Sequence, residues 1–285
     1  YTAIETFQKR QGNCLSFSML FAALAREANL DLTFQMVDIP PSFSADGEMI
    51  MLNNHINVRV RGVRRDINFA GDYVVDFNTA EFNGNYDTRK VDDDYAIALY
   101  FSNVAVESMQ AGSWEKAFRY LRKGIETDPG IADLWVNLGV LYSRNEHYDM
   151  AARAYEAALS IQPSNKSALA NLSGVLHQLG RTEEAGRYAK QVAYYRNRNP
   201  YYHYHLAKSA YEAQEFDDAM GHLAEAVELK EDEHQFYYLR GLIHEQKQEY
   251  DLAARNYRKA KDTAAKADLV SGYTRKLEAL ESSLR

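Results

Sequence analysis

Alanine recurs at Ala117, Ala151, Ala185, Ala219 and Ala253, one every 34 residues. A second series of small residues keeps the same step: Ala105, Gly139, Ser173, Ala207 and Gly241. This double register constrains the chain more than any composition does. Each unit has to be a supersecondary element that stacks on copies of itself. A small side chain on the first helix of a unit lets the second helix approach, and the alanine on the second helix does the same in return. Turn signals separate the two helices: "AGSW" at 111–114, "NEHY" at 145–148, "LGRT" at 179–182, "QEFD" at 214–217 and "QEYD" at 248–251. Pro129 and Pro163 fall at the ends of the first two units, where a residue that cannot continue a helix belongs, and Pro200 opens the fourth.

The second unit carries the fullest pattern, Trp135, Leu138, Gly139 and Tyr142 followed by Ala151, Tyr155, Ala158 and Pro163. It resembles the tetratricopeptide repeat. The resemblance implies an all-α solenoid over 98–285, with hairpins at 98–131, 132–165, 166–199, 200–233 and 234–267. A capping helix at 268–284 would close the last apolar edge. It also implies a groove lined by the first helix of each hairpin. In the tyrosine-rich stretch "YYRNRNPYYHYHLAKSAY" the groove stations are Tyr201, Tyr204, Lys208 and Tyr211, with His177 and Tyr238 from the neighbouring hairpins. Such a patch suits an extended peptide or protein ligand. The competing expectation is that these tyrosines pack between helices with their hydroxyls at the rim.

Residues 1–92 lack this period. A helix is expected from 14 to 29, then strands at 32–39, 55–62 and 72–78, with a loop over "PPSFSADGE". "HINVRVRG" alternates Ile56, Val58 and Val60 inward against Asn57, Arg59 and Arg61 outward. One helix followed by strands reads as α+β. Asp92, Asp93 and Asp94 mark the start of the first repeat helix, where acids favour the helix dipole.

The chain has one cysteine, Cys14, where a turn containing Gly12 meets the start of a helix. Unpaired N–H groups there lower a thiol pKa, and the thiolate is the nucleophile. A small buried apolar role is the plainer expectation for a lone cysteine. His55 opens one expected strand and Asp76 ends the next, so neighbouring antiparallel strands would set their side chains together. A histidine oriented by a carboxylate beside such a cysteine makes a thiolate–imidazolium pair.

"QGNCLSFSMLFAALAREANL", "NHINVRV" and "YVVDFN", in that order, resemble the transglutaminase-like core of the papain-type cysteine enzymes. The resemblance covers about residues 5–80. It implies Cys14 as nucleophile, His55 as general base and acid, and Asp76 as the residue orienting it. Gln8, six residues upstream of the cysteine, is the oxyanion donor by the same likeness. Asn57 stands where the family often has an aromatic, and Phe77 replaces the usual proline after the aspartate. Nothing resembles the calcium sites of the large cross-linking enzymes. The implied activity is amide or peptide chemistry on a substrate recruited by the repeats. The alternative is an idle domain serving with the repeats as an interaction scaffold.

A net charge of −7 argues against non-specific nucleic-acid binding. A single cysteine forms no intramolecular disulfide and no cysteine-built zinc site. His203 and His205, two apart on a helix, face different ways and do not share a metal. No cofactor or metal is expected, and no apolar run reaches the ~20 residues of a membrane helix. The chain begins at Tyr1 inside a structured-looking segment. With the bacterial character of the resemblance, this suggests a removed leader and a place in the cell envelope or periplasm.

Overall fold

The structure, a computed structural model, describes residues 2–37, 42–43, 49–50, 55–61, 72–77, 87–264 and 267–283. Most of the loop expected after the first strand, and the connection at 62–71, lie outside these residues. The chain forms two compact units. The first comprises Tyr1–Asp38, Asn53–Thr79 and Asp87–Ala193, and the second Ile39–Leu52, Ala80–Tyr86 and Tyr194–Arg285. The division after Ala193 falls inside the helical region.

In the first unit, helices α1 (Ala3–Lys9) and α2 (Cys14–Glu27) precede strands β1 (Leu32–Val37), β4 (His55–Val60), β5 (Tyr73–Val75) and β6 (Thr88–Val91). Strands β2 (Ser42–Phe43) and β3 (Met49–Ile50) pair with each other in the second unit. The four-stranded sheet has the order β5-β4-β1-β6, with the β1–β4, β1–β6 and β4–β5 pairs all antiparallel. Cross-strand pairs Leu32↔Val60, Phe34↔Val58 and Met36↔Ile56 set one apolar face. These residues share a core with Leu15, Ala22 and Ala25 of α2. The opposite face departs from the sequence expectation. Asn57 was expected outward in water, yet it is buried beside Gln35, its partner across the β1–β4 ladder. Strand β6 was not expected at all. Its "TRKV" has no apolar alternation because it is a largely exposed edge.

The helices continue as α3 (Asp93–Gln110), α4 (Trp114–Thr127), α5 (Ala132–Arg144), α6 (Tyr148–Ile161), α7 (Lys166–Gln178) and α8 (Thr182–Asn197). Then come α9 (Pro200–Glu212), α10 (Phe216–Leu229), α11 (His234–Gln246), α12 (Tyr250–Thr263) and α13 (Ala267–Ser283). The Asp92 side chain caps α3, accepting from the Tyr95 N–H at 2.8 Å. Ala117, Ala151, Ala219 and Ala253 have no solvent exposure and Ala185 has 6%, which is what close helix packing at those stations requires.

Each turn within a hairpin is closed in the same way. In α9–α10, the Gln214 N–H bonds the Tyr211 carbonyl at 3.0 Å and the Glu215 N–H bonds the Ala210 carbonyl at 2.8 Å. This is a Schellman cap, and it needs a left-handed residue at its centre. That residue is Gly112, Glu146, Gly180, Gln214 and Gln248 in turn, all at φ between 60° and 75°. Three of the five carry a side chain where glycine is unstrained. Gln214→Gly is therefore expected to stabilise the protein by about 0.5–1 kcal/mol in a urea titration. A loss of stability would show that the Gln214 side chain makes compensating contacts.

Candidate functional site

The N-terminus of α2 is built to bring a side chain to the edge of β4. Asn13 caps the helix, its Oδ1 accepting from the Ser16 N–H at 2.9 Å and from the Ser16 hydroxyl at 2.9 Å. Gly12 is required by crowding. A Cβ there would lie 2.9 Å from Ser16 Cβ and 3.2 Å from Thr6 Cγ2, so only glycine lets α1 approach this turn. Strand β5 pairs with β4 over Val58–Val60, beyond the end of β4 that holds His55 and Ile56. Cys14 arrives there, near enough to the His55 side chain and to the Ile56 and Leu15 backbone for these groups to lower its pKa.

His55 is 3% exposed. Its Nε2 lies 2.7 Å from Asp76 Oδ1 and 2.8 Å from Oδ2. Asp76 follows β5 directly, and Phe77 anchors the chain there by stacking on Phe17 at 5.7 Å and packing on Phe21 at 6.0 Å, both on α2. Phe77 thus ties the aspartate's strand to the cysteine's helix.

The electrostatics favour charge separation. Burial pushes the Cys14 thiol up, but hydrogen bonds from His55, Ile56 and Leu15 and the His55 charge outweigh it, so the pKa lies below that of an ordinary thiol. Burial pushes His55 down, but hydrogen bonds to Cys14 and Asp76 and the Asp76 charge hold it above the usual imidazole value. Each shift favours the charged form of its own group, the thiolate of Cys14 and the imidazolium of His55.

The structure brings Cys14, His55 and Asp76 together. It leaves Gln8 exposed on α1. Asn57, read from the sequence as a solvent-facing departure, donates through Nδ2 to Asp76 Oδ2 at 3.3 Å. Its position two residues after His55, one strand period away on the same face, was the signal available.

The tyrosine-rich stations divide differently. His177 is exposed on α7 in the first unit, and the other five belong to the second unit. Tyr201 and Tyr204 pack on Phe236, with ring centroids 5.8 and 5.3 Å apart, and burial pushes the Tyr204 hydroxyl up to about 12. The Tyr201 hydroxyl donates to Glu233 at 2.7 Å. Tyr238 lies against Tyr257 and Tyr273. Lys208 stays exposed, 3.8 Å from Glu212, and Tyr211 is half-buried against Phe216. Much of this aromatic surface is therefore spent between helices, and His177 and Lys208 are the exposed stations.

Among the described residues no cluster of three or more His, Cys, Asp or Glu side chains could hold a metal, and no helix is long and apolar enough to cross a membrane.

Comparison with known proteins adds the following. Tetratricopeptide-repeat family profiles match residues 132–165 and 204–268. The type IV pilus assembly protein PilF of Pseudomonas aeruginosa is 35% identical over 77 residues. That stretch is 27% of this chain and 31% of the relative, so the chain spans about a third of the curated relative it matches. A solved structure of P. aeruginosa PilF is 19% identical and covers 66% of this chain and 93% of its own, with a TM-score of 0.34. The second repeat domain of Spaghetti bound to an HSP90 peptide is 23% identical and covers 34% of this chain and 90% of its own, with a TM-score of 0.33. Superposition at such scores is poor, and the assignment rests on the sequence matches. Residues 132–165 and 204–268 are tetratricopeptide repeats, and the C-terminal helices form an all-helical solenoid of that type.

Proposed function

We propose that this chain is a protein-interaction platform whose repeats hold an extended protein or peptide segment. The observation that carries this reading is the pair of repeat matches at 132–165 and 204–268. Stacked hairpins of this kind present an extended surface of first-helix side chains. The exposed Lys208 and half-buried Tyr211 are the proposed contacts in the second unit. Fluorescence anisotropy of the full chain against an array of extended peptides tests it. Some peptides are expected to bind, and Lys208→Glu or Tyr211→Ala to weaken them at least about fivefold without lowering Tm. An array without a binder, or binders indifferent to both substitutions, overturns it.

A second reading is favoured by the contacts among Cys14, His55 and Asp76. In it the α/β region is transglutaminase-like and performs papain-type amide chemistry on the segment the repeats hold. The Cys14 thiolate attacks the amide carbonyl and a C–S bond forms. The C–N bond then breaks, and the leaving amine takes the proton of the His55 imidazolium. Water or a second amine attacks the thioester while His55 accepts its proton, and the cysteine is released. Asp76 orients the imidazole throughout. Gln8 is the proposed oxyanion donor, in a role that requires α1 to turn it toward the sulfur. The two readings concern different parts of one chain and are compatible. Alkylation kinetics at Cys14, taken up in the Discussion, decide whether the second holds.

A further inference from the structure

We infer that Asn57 is a positioning residue that holds the Asp76 carboxylate against His55. This rests on the thiol-centre reading above. Continuing the Val58↔Val75 register by one residue sets Asn57 opposite Asp76, and Asn57 Nδ2 donates to Asp76 Oδ2 at 3.3 Å. Asp76 needs such a tether. Its side chain is 39% exposed, so water competes for both oxygens, while His55 sits buried beneath it. Nε2 of His55 lies almost equally far from the two oxygens, and the Asn57 donor falls on Oδ2.

The placement is costly to the sheet, and that cost is the argument for a role. Asn57 is 4% exposed and its Oδ1 has no hydrogen-bond partner. Across the ladder, Gln35 is 5% exposed and donates through Nε2 to Thr88 Oγ1 at 2.7 Å, leaving its own Oε1 without a partner. The two neighbouring amides do not satisfy each other. Asn57 aims its NH2 at the aspartate instead and leaves a buried carbonyl oxygen unsatisfied, an arrangement that an apolar side chain of the same size would avoid.

The test uses the full chain and iodoacetamide, for which Cys14 is the only thiol. Alkylation rate is measured from pH 4 to 10 in the unsubstituted protein, in Asn57→Leu, in Asp76→Asn and in the double variant. Asn57→Leu should remain folded, since it removes the unsatisfied carbonyl. The expected result is a profile moved to higher pH and a rate at pH 6 about three- to tenfold lower. In the Asp76→Asn background the same substitution should change nothing further, because its partner is already gone. Asn57→Ala, which removes the donor without adding charge, is the second variant should the leucine misfold, and it should move the profile in the same direction. A profile unmoved by Asn57 substitution overturns the inference, as does an equal shift in the Asp76→Asn background. Failure of the thiol-centre reading shows separately and earlier, as an ordinary thiol profile in the unsubstituted protein, and it takes this inference with it.

Discussion

Alkylation of Cys14 at pH 6 is expected to fall at least tenfold when His55 is replaced by alanine. In the unsubstituted protein the thiol pKa lies below the ordinary value, so at a given pH more of the sulfur is thiolate than in a free cysteine. Two of the contributions that lower it, the side-chain hydrogen bond and the charge, come from His55. Without the imidazole the remaining forces oppose one another, burial raising the pKa and the Ile56 and Leu15 backbone lowering it. The profile should then move toward the ~8.5 of a free thiol, where only a fraction of a percent of the sulfur is ionised at pH 6. Each pKa unit is a factor of ten in thiolate on the acid side. Asp76→Asn should move the profile in the same direction by less, since it acts on the sulfur only through the imidazole. The upper limb is informative too. His55 is held above its usual pKa, so at a given pH more of it carries the proton needed by a leaving amine than in a free histidine. A His55→Ala profile that overlays the original would end the thiol-centre reading and leave the repeats as the functional part of the chain.

The second large effect is expected in the repeats. A Cβ on Gly139 would stand 2.4 Å from Tyr155 Cε1, 2.6 Å from Cδ1 and 2.7 Å from Cζ. Tyr155 is 1% exposed and part of a packed core with Ala132, Val136 and Leu172, so the ring has nowhere to move. Gly139→Ala should therefore cost about 2–3 kcal/mol, although alanine by itself favours a helix over glycine by about 1 kcal/mol. Gly174, in the interior of α7 with nothing within 4 Å of its notional Cβ, is the control. Gly174→Ala should stabilise by about 0.5–1 kcal/mol. Urea titrations of the two variants with opposite signs would establish that the Gly139 station is set by ring contact. Two stabilising substitutions would remove that explanation. Gly241 meets Tyr257 at the same 2.4 Å in the second unit, so the device is a property of the repeat and not of one hairpin.

How much of this was legible depended on how local the cause was. The small-residue register could be read directly because contacts between the two helices of a hairpin recur at fixed spacing. Cys14, His55 and Asp76 could be read as a series because each sits at an element end, and element ends leave turn and capping signals such as Gly12 and Asn13. Asn57 was misplaced because alternation assigns a polar residue on a strand to water. Nothing local says that the face is closed over and that a carboxylate stands opposite. Strand β6 escaped for a related reason. An exposed edge strand needs only backbone partners, which "TRKV" finds on β1 without an apolar pattern of its own. The groove stations followed from resemblance, and the structure then distributed their side chains. Tyr201 and Tyr204 turn to Phe236, a contact that depends on the next hairpin and so lies beyond any single repeat's sequence.

The self-contained way in which the hairpins reverse direction has a consequence for evolution and engineering. Every reversal is tied by main-chain bonds from its own two helices, so no side chain from elsewhere in the sequence is needed to form it. A segment such as 132–165 is accordingly a transferable cassette. Copying it in tandem would lengthen the array while leaving the stretch of chain around Cys14 unchanged, and reach could change without altering that region.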